Sequence, residues 1–141
     1  DLGWNQLDRW KDSMPEVNID LGLNDIRQNV KRCRLYISTY NATTHLETLN
    51  WNVPTIMFWN PKHWELNEQA KPFFEMLEKE GVFHTSPKNA AKKMIEVWDD
   101  VDGWWHSKNI QKARKLFIKQ YAHTPEDPLS SLQNLFLYNN K

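Results

Sequence analysis

The sequence predicts an α/β domain with a small parallel sheet followed by helices, and three observations carry that reading. Leu35-Tyr36-Ile37-Ser38 and Thr55-Ile56-Met57-Phe58-Trp59 are short apolar runs of strand length, separated by helical spacing over Thr43–Trp51. A third such run, Val82-Phe83-His84, follows an apolar stripe at Leu66, Ala70, Phe73, Phe74 and Leu77, so the strand–helix alternation repeats. From Ser86 onward the periodicity is helical throughout. Strands joined by helical crossovers pair in parallel with right-handed connections. The expected architecture is therefore a Rossmann-like three-layer α/β/α domain with C-terminal helices.

Size and charge narrow the function classes. The chain has 141 residues, enough for one domain with a real core. Eighteen basic and eighteen acidic residues give a formal net charge of zero, and the pI is about 7.1. Neither nucleic acid nor an acidic membrane surface is favoured by that balance. No apolar run approaches the roughly 20 residues of a membrane span. A single cysteine, Cys33, excludes an internal disulfide framework and suits a reducing cytoplasm. Eight tryptophans accompany a low mean hydropathy of -0.78. The chain opens at Asp1 on a segment that reads as mid-domain, so residues 1–141 are expected to be one domain of a longer protein.

Taken in order, Trp4, Leu7, Trp10 and Met14 lie at helical spacing, ended by Pro15. Val17-Asn18-Ile19 predicts a short strand. Asn24 or Asp25 caps a helix running to about Cys33, with Ile26 and Val30 inward. Lys31, Arg32 and Arg34 would complement the dipole at its end. The strand at 35–38 is followed by the polar turn Thr39–Ala42. Helix Thr43–Trp51 is stopped by Asn52-Val53-Pro54, since a residue before proline is pushed out of the α region. Its Ala42, Leu46 and Leu49 face would lie on the sheet. The Leu66–Leu77 helix is expected to kink near Pro72 and to end at Gly81. Ser86-Pro87 starts another helix, with Ala91, Met94, Ile95 and Trp98 as its buried stripe. Asp99, Asp100 and Asp102 read as a solvated helix end rather than a metal cluster. Gly103-Trp104-Trp105 reads as a tight turn. Ser107 caps a helix with Ile110, Ala113, Phe117 and Tyr121 inward and Lys112, Arg114, Lys115 and Lys119 as its basic face. Leu129, Leu132, Leu135 and Phe136 mark a last amphipathic helix.

The topology also says where a ligand sits. In an open parallel sheet the binding crevice lies beyond the carboxyl ends of the strands, here Ser38-Thr39 and Trp59-Asn60. The helix after the first strand turns its N-terminus, with free N–H groups, toward that crevice. Ser38, Thr39, Asn41, Thr43 and Thr44 crowd polar groups there, around Ala42. Glu47 lies three and four residues beyond Thr44 and Thr43, on the same helix face, where a carboxylate can accept from ribose hydroxyls. The loop at the second strand's tip adds Asn60, His63, Trp64, Glu65 and Asn67. His63 is a candidate base or phosphate ligand, Trp64 a stacking surface, and Glu65 and Asn67 partners for sugar hydroxyls. The bland alternative is a helix cap and a locally packed loop. His84, at the end of the third strand, reads as a hydrogen-bonded structural residue. Neither GxGxxG nor GxxxxGK[ST] occurs, nor HExxH or CxxC.

The segments STYNATTHLETLNWNVPTIMFWNPKHWELNEQAKPFF, GVFHTSPKNAA and DGWWHSKNIQKAR resemble a family of bacterial transferases of surface-polysaccharide loci. That family in turn resembles the C-terminal half of GT-B glycosyltransferases. The resemblance spans roughly Trp4 to Thr124. It implies a nucleotide-sugar donor as substrate, with no cofactor and no metal. In the GT-B class a Glu nine residues after the polar residue ending the strand holds the donor ribose, a spacing that Ser38 and Glu47 reproduce. The class usually carries glycines in the intervening loop, where this chain has Tyr40-Asn41-Ala42.

The resulting expectation is the donor-binding half of a GT-B-like glycosyltransferase in bacterial surface-polysaccharide synthesis. Its partners would be a nucleotide-sugar, a glycan acceptor and an N-terminal domain of the same chain. A homo-oligomer is compatible with the sequence, and a cytoplasmic position at the periphery of the inner membrane is expected. The other readings are a nucleotide-sugar epimerase or polyol-phosphate transferase of the same fold, and a non-catalytic interaction domain.

Overall fold

The computed structural model describes residues 3–23 and 25–138, and the chain falls into two compact units, residues 1–32 and 33–141. In the first unit α1 spans Gln6–Ser13 and closes where the Met14 amide donates to the Trp10 carbonyl, just before Pro15. The apolar spacing at Trp4, Leu7, Trp10 and Met14 is present, but all four side chains are exposed. The strand expected at Val17–Ile19 does not form, because these three residues have no neighbouring strand to complete a ladder. α2 spans Ile26–Arg32 and starts on Asp25, whose carboxylate accepts from the Arg27 amide at 2.9 Å. Asn24, the other cap candidate, lies outside the described residues. Val30 is buried as expected, whereas Ile26 is exposed.

The second unit holds the α/β alternation. Its elements are β1 (Tyr36–Ser38), α3 (Thr44–Asn50), β2 (Thr55–Phe58), α4 (Lys71–Lys79) and β3 (Phe83–His84). Then come α5 (Pro87–Val97), a 3-10 turn (Trp98–Asp100), α6 (Val101–Trp105), α7 (Lys108–Tyr121) and α8 (Pro128–Tyr138). The sheet order is β1-β2-β3 and both pairings are parallel, with Ile37 opposite Ile56 and Met57 opposite Phe83. This is the mixed α/β arrangement that the periodicity predicts.

Strand alternation sorts the core. Met57 on β2 and Trp59, one residue past its end and two from Met57, join Leu49, Phe74, Phe83 and Phe117 in the main apolar cluster. Trp59 stands 4.7 Å from the Phe83 ring and 5.5 Å from Phe74, so the aromatic-rich composition serves packing. Ile56, on the other face of β2, is fully buried as well, and α5 packs against β2 and β3. α7 packs on α3 and α4 through Ile110, Ala113 and Phe117, with Tyr121 half-buried, as its spacing predicts.

Several local expectations are corrected. Pro72 occupies the first turn of α4, where its missing N–H costs nothing, so the helix starts there instead of kinking. The buried stripe of α5 is Ala90 and Val97, continued by Val101, with Met94 half-buried, while Ala91 and Trp98 are exposed and Ile95 is 71% exposed. Gly103-Trp104-Trp105 belongs to a short helix, because Asp100 accepts from the Gly103 amide at 2.8 Å and starts a turn there. Arg114 is not on the basic face: it is 7% exposed and donates to the Leu49 carbonyl at 2.6 Å. Arg34 stacks on Trp98, 5.0 Å from its centroid, and donates to the Trp98 carbonyl rather than serving a helix end.

Candidate functional site

β1 and β2 run parallel, so Ser38 and Trp59-Asn60 end at one edge of the sheet, and α3 begins beside them. Ser38 is buried and its hydroxyl donates to the Tyr40 carbonyl at 3.1 Å, which fixes the turn into α3. Thr39 and Thr43 are exposed, and Asn41, Ala42, Thr44 and Glu47 are half-buried. Thr43, the residue before α3, already has helical backbone angles, and its hydroxyl caps nothing. The first turn of α3 thus lacks the side-chain cap that the bland reading of this Thr-rich segment expects. Burial pushes the pKa of the Tyr36 phenol up.

The face that α3 turns inward differs from the expected one. His45, Thr48 and Leu49 are buried, while Ala42 and Leu46 are only partly covered. Thr48 meets the sheet through its hydroxyl, 3.1 Å from that of Thr55, and donates to the His45 carbonyl at 3.0 Å. Polar side chains can serve as core here because each hydroxyl finds a partner. At the other end of α3, Asn52 takes the left-handed conformation at φ 59. The Trp105 indole N–H donates to its carbonyl and side-chain oxygens, and the Gln111 amide donates to the same side chain, all at 3.0 Å. With the Arg114 bond to Leu49, this ties the C-terminal end of α3 to α6 and α7.

The loop after β2 is built on two asparagine turns. Asn60 accepts on its side chain from the Lys62 amide at 3.0 Å and on its carbonyl from His63 at 2.9 Å. Asn67 accepts on its side chain from the Gln69 amide at 3.0 Å, and its carbonyl takes the Ala70 amide at the start of α4. His63 and Glu65 are exposed, and Trp64, 45% exposed, leans toward Tyr40 with ring centroids 6.0 Å apart. His84 lies 3.0 Å through Nε2 from the Gly81 carbonyl, the structural role expected of it, and burial lowers its pKa.

Two clefts flank this loop and share Glu65, Leu66 and Phe74. One, of about 380 Å³, includes Asn41, Ala42, Thr43, Glu65 and Asn67 in its lining. The other, of about 630 Å³, runs along α4 to Phe83 and Thr85 and includes Lys62 and Lys71. Five of the twelve candidate residues therefore line the first cleft. Ser38, Thr39, Thr44, Glu47, Asn60, His63 and Trp64 line neither.

The residue that sequence reasoning passed over is His45. It lines the smaller cleft, is 3% exposed, and its ring lies 5.5 Å from Trp59. Burial pushes its pKa down to about 4, opposed by the Ala42 backbone, and its Nδ1 has no hydrogen-bond partner. The signal was its place three after Ala42 and four before Leu49, on the face read as apolar. Among the described residues no group of three or more His, Cys, Asp or Glu could hold a metal ion.

Fold and clefts define a mixed α/β domain whose polar loops gather at the carboxyl edge of a three-stranded parallel sheet. Its family is known: the model of the LIC12162 family transferase matches residues 1–136, and the chain belongs to that family of transferases. No curated protein and no solved structure matches the chain. No described helix is long and apolar enough to cross a membrane.

Proposed function

We infer that this domain is the nucleotide-sugar-binding half of a GT-B-like glycosyltransferase, with Rossmann-like three-layer architecture, acting in bacterial surface-polysaccharide synthesis. The observation that carries the reading is the parallel pairing of β1 with β2, which puts both strand ends and the uncapped first turn of α3 at one edge. A transferase family adds support. In this scheme Thr39, Asn41, Thr43 and the backbone of α3's first turn receive the diphosphate, while Ser38 holds the turn in shape. Glu47, one turn further along, accepts from the ribose hydroxyls. The Asn60–Asn67 loop faces the sugar, with His63 and Trp64 on its exposed side.

The chemistry asked of these residues is stabilisation of a leaving nucleoside diphosphate. Oriented N–H groups and hydroxyls can do that without a metal, because charge develops where they already point. The base for an inverting reaction would come from an N-terminal domain, which also completes the acceptor side. The donor reading is tested by calorimetric titration with nucleoside diphosphates and their sugars, alongside Glu47→Ala. One nucleotide should bind saturably and weaken roughly tenfold in the variant, as loss of a charged hydrogen-bond acceptor implies. Equal affinity in Glu47→Ala would remove Glu47 from the site.

A further inference from the structure

The formal charge balance of the chain conceals a segregation on α7. Between Asp102 and Glu126 there is no acidic residue, and that stretch carries four lysines and an arginine. Arg114 is turned into the core, but Lys108, Lys112, Lys115 and Lys119 are all exposed. At the helical repeat these four lie within an arc of about 60° and run about 16 Å along the axis. The buried side of α7, formed by Ile110, Ala113, Arg114 and Phe117, lies opposite, so the stripe points out of the domain. Leu116 lies beside it, one turn from both Lys112 and Lys119, and is 44% exposed.

An ordinary solvated helix face does not account for this stripe. α4 mixes Glu75 and Glu78 with Lys79 on its exposed side, and on α5 Lys93 pairs with Glu96. Among the described residues no carboxylate forms an ion pair with the α7 lysines. They follow one another at three- and four-residue steps, so neighbours repel along the helix. The helix dipole does not offset this. Lys108 opens α7, where a cation is disfavoured, and Lys119 alone is in the last turn. An anionic surface outside the domain would relieve the repulsion, and the chemistry of the stripe favours lipid. Lysine ammonium groups suit the diffuse charge of headgroups, whereas the one arginine of α7, whose fork would grip single phosphates, is buried. The aromatics of α7, Phe117 and Tyr121, pack against Phe74 and Phe73, so no surface for stacking nucleic-acid bases accompanies the lysines. We propose that the lysine stripe of α7 docks this domain on an anionic lipid bilayer, with α7 lying along the surface and Leu116 entering the interface. The inference is independent of the donor-binding reading.

The test is vesicle flotation of the protein with phosphatidylcholine alone and with equal parts of phosphatidylcholine and phosphatidylglycerol. It is run on the wild type, on Lys112→Gln with Lys115→Gln, and on Lys88→Gln with Lys92→Gln. The second pair removes the same net charge from exposed positions of α5. Circular dichroism establishes that both variants are folded, which glutamine at exposed helical positions allows. The wild type should partition onto the anionic vesicles at least tenfold more strongly than onto the neutral ones. That binding should vanish toward about 1 M salt, where the Debye length is about 3 Å. The α7 pair should lose about tenfold or more, and the α5 pair should stay within about twofold of the wild type. Equal binding to both vesicles, or wild-type binding by the α7 pair, overturns the inference. So does an equal loss in the α5 pair, because net charge and not the stripe would then be responsible. A single-stranded oligonucleotide that displaces the wild type, but not the α7 pair, from anionic vesicles would assign the stripe to nucleic acid and overturn it too. None of these outcomes bears on nucleotide-sugar binding, which the separate titration decides.

Discussion

Arg114 stands in a run of basic residues, Lys112 to Lys119, yet its guanidinium is buried and donates to the Leu49 carbonyl and to Gln111. The sequence cannot reveal this, because a long cationic side chain reads as solvated unless its acceptor is known, and Leu49 is 65 residues away. Arg114→Leu should cost about 1–3 kcal/mol in urea unfolding, since it leaves a buried carbonyl without its donor. Arg114→Lys should recover only part of that loss, lacking the fork that reaches Gln111 as well. His45 makes a pH-dependent contribution. Its pKa is about 4 in the folded protein and 6.5 as the ordinary value, so the unfolded chain takes up a proton that the folded one refuses. Stability is fully present above about pH 6.5 and is lost as pH falls toward 4. The loss should be about 2 kcal/mol between roughly pH 7 and pH 5. Burial lowers the His84 pKa too, and acts in the same direction. Urea midpoints across that range should fall with pH in the wild type and fall less in His45→Leu.

At the scale of elements, the sequence locates helices better than it phases them. On α5 both Ala91-Met94-Ile95-Trp98 and Ala90-Met94-Val97-Val101 have helical spacing, and the second is the inward one, with Ala90, Val97 and Val101 buried and Met94 half-buried. Paired neighbours, Ala90-Ala91 and Val97-Trp98, leave the pattern degenerate, and only the position of the sheet decides between them. Trp98 is exposed without being wasted, because Arg34 stacks on it. Capping was more legible. Ser86 accepts from the Asn89 amide and Pro87 takes the first turn, as the dipeptide predicts. Gly81 ends α4 with φ 75, where a Cβ would come within 2.5 Å of Lys93. Because that neighbour is a flexible chain, Gly81→Ala should cost mainly the backbone penalty, about 1 kcal/mol, read as a lower urea midpoint. At the far end of α3, Asn52 carries both a left-handed backbone and an acceptor for Trp105 and Gln111. Asn52→Gly keeps the backbone and loses the acceptor, so it should destabilise less than Asn52→Ala, which loses both.

Over the whole molecule, the strand–helix alternation was readable because strand runs, helical stripes and breakers agree with one another from Leu35 to His84. The Val17–Ile19 strand failed for the opposite reason, since a short β-branched run is no strand without a partner. The polar positions at the sheet's carboxyl edge were also readable, as they follow from topology. What each side chain does there was not, because Ser38, Asn60 and Asn67 hold turns through bonds to nearby backbone that spacing alone does not disclose. His45 was hidden by lying on a face that is otherwise apolar. α8 keeps Leu129, Leu132, Leu135 and Phe136 largely exposed.

The most direct test of ligand binding at this edge is a two-dimensional amide NMR titration with the nucleotide-sugar that calorimetry selects. Shifts should concentrate in residues 38–47 and 60–67, with Thr43 and Glu47 among the largest. Shifts confined to other surfaces, or none at saturating ligand, would contradict a donor site at the carboxyl ends of β1 and β2.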